Sequence, residues 1–127
     1  MADLRSPLAR VRGLGSAKEG THHWWAQRLT ALALVPLTIW LVVSIVALTG
    51  ADHAAASRWV GSLWPAALLI LTIAMTFHHG QLGLQVVIED YVHNEALKLA
   101  LILFVKGLAL VLSVVAIAAI ARIAIGG

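Results

Sequence analysis

Residues 29–51 and 59–88 contain no Asp, Glu, Lys or Arg, the link between them holds Asp52 and Arg58, and residues 96–125 carry only Lys98, Lys106 and Arg122. Each block is long enough to cross a hydrocarbon core, which takes about 20 residues of helix. In a chain of 127 residues that is 61% hydrophobic and 12% charged, so much apolar surface cannot be hidden inside a small globule, and lipid must solvate it. Only helices and closed barrels satisfy their backbone groups in lipid, and no strand-turn alternation is visible. The expected fold is therefore all-α, an integral membrane protein with three transmembrane helices over about residues 29–51, 59–89 and 96–125. Residues 1–28 read as a polar, basic tail interrupted by Pro7, Gly13, Gly15 and Gly20, and no room remains for a soluble domain.

Lys and Arg set the orientation. The tail holds Arg5, Arg10, Arg12, Lys18 and Arg28, and the turn after the second block adds Lys98, against Arg58 and Arg122 on the opposite side, six against two. The N-terminus is expected in the cytoplasm. Trp24 and Trp25 suit one interfacial belt, Trp59 and Trp64 the other. A secretory signal competes for the first block, but its apolar stretch exceeds the 7–15 residues of a typical signal core. Pro36 is a candidate kink in this span.

The chain has no cysteine, which excludes disulfides, iron–sulphur ligation and thiol catalysis within it and leaves histidine as the basis for any metal site. The net charge of +3 belongs to topology and to membrane lipid, not to nucleic acid.

Chemistry concentrates in the second block, where His78, His79, Gly80, Gln81, Leu82, Gly83, Leu84 and Gln85 lead through Val86, Val87 and Ile88 to Glu89, Asp90 and Tyr91. A helix turns about 100° per residue, so His79, Gly83, Val86 and Asp90 share one stripe. At 1.5 Å per residue, His79 lies roughly 16 Å inward of Asp90, within the hydrocarbon. A neutral imidazole there is a good axial ligand for haem iron, and Gly83 one turn away would let a flat macrocycle approach the helix. The plainer alternative on chemistry alone is a hydrogen-bonding link to a neighbouring helix. Adjacent residues point about 100° apart, so His78 and His79 cannot grip one iron from opposite sides, and a sixth ligand must come from a partner chain or a second copy.

Tyr91 ends this span at the cytoplasmic interface, where its phenol can donate to a quinone carbonyl and Asp90 can join a proton path. An interfacial tyrosine anchor in a polar turn is the plainer alternative. Before the first span, Arg28 is placed to bind an anion such as a haem propionate or lipid phosphate, or simply to set topology. His22 and His23 read as a solvated or lipid-contacting pair rather than a metal site, because neighbours diverge. Lys106 reaches the interface by snorkelling, or meets a propionate. The Ala-rich residues 116–124 offer a packing surface.

His79, Gly83 four residues on, and Asp90-Tyr91 eleven and twelve on, in the second of three spans, resemble the small hydrophobic membrane-anchor subunits of succinate dehydrogenase, respiratory complex II. The run Gly20-x-His22 to Arg28-x-Thr30 is similar to the segment that leads into the first span in that family. The likeness spans most of the chain except the tail. It implies that His79 is one axial ligand of a single haem b, shared with the larger cytochrome b anchor subunit, which supplies the second ligand. It implies a ubiquinone bound by Tyr91 with Asp90 nearby, and Arg28 near the haem propionates. It further implies a flavoprotein subunit and an iron–sulphur subunit docked on the cytoplasmic face; the tail, with Asp3 and Glu19, is a poor transit peptide, so a bacterial inner membrane is expected rather than a mitochondrion. The chain alone would then be non-catalytic. His78, one residue before the family position, is the rival ligand if the register slips.

Two other readings remain open on the sequence. A b-haem subunit of another respiratory or formate-type enzyme would normally show well-separated intramembrane histidines. A haem-free helical assembly factor or transporter component would use His79 only to join helices.

Overall fold

The computed structural model describes residues 4, 6–13 and 20–126, which form five helices and no strand. A short helix α1, Pro7–Val11, precedes α2, Gly20–Ala47, whose 28 residues include Pro36. α3 is His53–Gly61, α4 is Leu63–Tyr91 and α5 is Glu95–Ile125. α2, α4 and α5 are long and apolar enough to cross a membrane. At 1.5 Å per residue the 28 residues of α2 extend about 42 Å, more than a hydrocarbon core of about 30 Å, so these helices tilt or project beyond it.

Several boundaries differ from the sequence reading, and the first long helix also ends early, at Ala47. The helix of the first span, expected over residues 29–51, starts at Gly20, so His22, His23, Trp24, Trp25 and Arg28 are helical rather than part of a loose tail. The rest of that tail lies partly outside the described residues. The polar link after the first span is itself a helix, α3, because Asp52 caps it: its Oδ1 accepts from Ala55 N–H at 2.7 Å. Trp59 belongs to α3, stacked on Trp40 of α2 with ring centroids 5.9 Å apart, and the second span starts after it. Ser62, with extended backbone, makes the corner into α4; its hydroxyl and N–H both donate to the Trp59 carbonyl, at 2.6 and 3.1 Å.

α4 packs against α5 and α2, and α3 rests on α5 and α4. α4 is thus the central element. Asn94 caps α5, its Oδ1 accepting from Leu97 N–H at 3.0 Å, and Glu95 in the first turn pairs with Lys98 at 3.0 Å. Few side chains are enclosed: Leu37, Ala66 and Leu82, with the hydroxyls of Thr30 and Thr72. Large apolar residues such as Leu32, Val43, Phe104 and Val115 point outward. That inversion of the soluble pattern follows from lipid, which gives apolar groups no reason to hide and leaves close packing and hydrogen bonds to join helices.

Candidate functional site

α2 and α4 meet through small and polar residues at the depth of His79. Thr30, only 6% exposed, places its Oγ1 3.0 Å from His79 Nδ1. The same oxygen lies 2.7 Å from the Ala26 carbonyl and 3.0 Å from the Gln27 carbonyl, one turn back along α2. Gly83 faces α2 as well: a Cβ built there would stand 3.7 Å from Gln27 Nε2. Gln27 and Thr30 are three apart on one face of α2, and His79 and Gly83 four apart on the facing side of the antiparallel α4. Gln27 and Thr30 therefore form the second half of the stripe read from α4 alone. Thr30 closes the Gly20-to-Thr30 run, but its partner 49 residues away depends on helix register, which hydropathy does not encode.

Beside His79 an open groove of about 370 Å³ runs along α2, lined by Ala31, Leu34, Val35, Thr38 and Ile39. Its wall is almost wholly apolar. An imidazole at the edge of such a wall is a donor that a flat, apolar, metal-bearing ring could use. Among the described residues no group of three His, Cys, Asp or Glu side chains could hold a metal ion by itself.

His78 turns elsewhere, as adjacent helix positions must. Its Nδ1 is 3.5 Å from Gln81 Nε2, and it lines a cleft of about 560 Å³ between α2, α4 and α5 with His22, His23, Gln81, Glu89 and Lys106. Two buried atoms in this cleft, His23 Nε2 and Gln81 Oε1, have no hydrogen-bond partner. His78 and His79 thus serve different spaces. Arg28 lies with its guanidinium 4.8 Å over the Trp24 ring, a cation–π contact that holds it in the N-terminal part of α2. Asp90 and Tyr91 are both exposed at the last turn of α4. They share the helix with His79 but do not touch it, being roughly 16 Å along by helix rise. Glu89 accepts from Gln85 Nε2 at 2.8 Å.

Residues 2–120 match the family of Succinate dehydrogenase/Fumarate reductase transmembrane subunits. The chain belongs to this family. Within it, the chain is 37% identical over 110 residues to the succinate dehydrogenase hydrophobic membrane anchor subunit of Rickettsia bellii, covering 82% of this chain and 83% of that one. The protein of the same name from Paracoccus denitrificans is 31% identical over 122 residues, covering 95% and 93%. The succinate dehydrogenase membrane anchor subunit of Reclinomonas americana is 26% identical over 96 residues, covering 73% and 80%. No solved structure gives a significant match. Transmembrane subunits of this family account for the three apolar helices, and all the residues of the α2–α4 contact fall within the matched region.

Proposed function

We propose that this chain is the small membrane anchor of a bacterial succinate:ubiquinone oxidoreductase, holding one haem b through His79 and forming part of the ubiquinone-reduction site with Tyr91 and Asp90. The observation that carries the haem assignment is His79 fixed by Thr30 at the rim of an apolar groove, in a chain of this family. The iron would take its other axial ligand from the larger cytochrome b anchor. Bound there, the haem supplies one-electron redox capacity between the iron–sulphur subunit and quinone. Gly83 faces Gln27 across the α2–α4 contact, on the same side of α4 as His79. Arg28, on Trp24, marks the propionate end.

With the N-terminus in the cytoplasm, the turn between α4 and α5 faces the soluble flavoprotein and iron–sulphur subunits. Tyr91 then stands where a lipid-borne quinone meets electrons from succinate, its phenol donating to a quinone carbonyl while the Asp90 carboxylate takes part in proton delivery. The test is a pyridine haemochrome assay on the purified membrane complex. His79→Ala should lose haem and His78→Ala should keep it. Equal haem in wild type and His79→Ala would end the assignment.

A further inference from the structure

Thr30 is the most enclosed polar residue on α2, and its hydroxyl carries one proton for three neighbours. The shortest contact, 2.7 Å, is to the Ala26 carbonyl, which can only accept, and so can the Gln27 carbonyl at 3.0 Å. A β-branched residue inside a helix favours this back-bonding rotamer. With the proton turned to the helix backbone, the oxygen offers a lone pair to His79 Nδ1 at 3.0 Å, and the ring must donate. A neutral imidazole that carries its proton on Nδ1 has a free lone pair on Nε2.

We propose that Thr30 is the positioning residue of the metal site: it holds His79 in the Nδ1–H tautomer and turns the Nε2 lone pair toward the iron. This rests on the haem reading of His79. A hydrogen-bonding partner behind a ligating histidine fixes ring orientation and raises the basicity of the ligand, and loss of such a partner typically weakens a metal site 10–100-fold. A hydroxyl is a weaker acceptor than a carboxylate, so the lower end of that range applies. The donated Nδ1–H adds electron density to the ring and favours ferric over ferrous iron; without it the haem becomes easier to reduce.

The experiment is a redox titration of the haem in the purified, intact membrane complex carrying Thr30→Val, which keeps the branched shape and removes the oxygen. The ferric-to-ferrous ratio at a fixed potential should fall, by up to about tenfold if the loss falls on the ferric state alone, a rise of up to about 59 mV for one electron. Thr30→Ser should restore the wild-type value. If the valine variant does not assemble, Thr30→Cys carries the test, because a thiol is a poor acceptor and the potential must again rise. A wild-type potential in the valine or cysteine variant overturns the proposal, as does a serine variant that titrates like valine. Those results leave the haem reading intact so long as His79→Ala still loses haem; full haem in His79→Ala, or none in the wild type, defeats that reading itself.

Discussion

Tyr91 is 78% exposed at the end of α4 and makes no hydrogen bond through its phenol within the described chain, so that group is free to serve a ligand or partner. Tyr91→Phe keeps the ring and removes only the donor. A donor that matters most as charge builds on the quinone oxygen affects turnover more than binding. Succinate-to-ubiquinone activity of the complex should fall roughly tenfold or more, as for loss of a donor to developing charge, while succinate oxidation with a soluble artificial acceptor, which bypasses the membrane site, stays near wild type. Parallel loss of both activities would point to assembly instead, and no loss would make Tyr91 an interfacial anchor. At this scale the sequence is most informative along one helix, where His79, Gly83 and Asp90 are related by a fixed turn and rise. It is blind across helices: Thr30 and Gln27 carry no sign that they lie against His79 and Gly83.

Among the elements, α3 is held by a contact with little tolerance. A Cβ added at Gly61 would stand 3.1 Å from the Ile123 carbonyl of α5 and 3.6 Å from Ala124 Cα, and backbone cannot move aside as a side-chain tip can. Gly61→Leu should therefore lift α3 from α5 and destabilise the complex by about 1–3 kcal/mol, the usual penalty of overpacking. Gly107 is the control, since an added Cβ there meets nothing within 4 Å. Gly107→Ala should be neutral or stabilising by up to about 1 kcal/mol, because it removes a glycine from a helix interior. Unfolding of the purified complex in detergent checks both, and a Gly61→Leu midpoint equal to wild type would remove the close approach from the account. The three long helices are legible because long runs almost free of charge, with no strand-turn alternation, leave the helix as the way to cross a bilayer. α3 is not, since an alanine-rich stretch between polar residues reads as a link until the Asp52 cap is seen to start a helix, and hydropathy alone merges Trp59 with the span that follows.

For the whole molecule, the proposed orientation rests on the distribution of Lys and Arg and admits a direct test. The native chain has no cysteine, so single substitutions report without background from it. In intact cells a membrane-impermeant thiol reagent should label His53→Cys, at the start of α3, and should reach His93→Cys, in the turn between α4 and α5, only after the membrane is opened. The reverse pattern would invert the topology and move Tyr91 to the wrong side for electrons from soluble subunits. The seat of α3 on α5 also imposes an order in time. α3 leaves the ribosome well before the segment around Ile123, so during synthesis it has α2 and then α4 for company but lacks the surface on which it locks. The corner that α3 makes closes only after α5 has been threaded through the bilayer, so the seating of α3 waits on the insertion of a helix that is made two elements later.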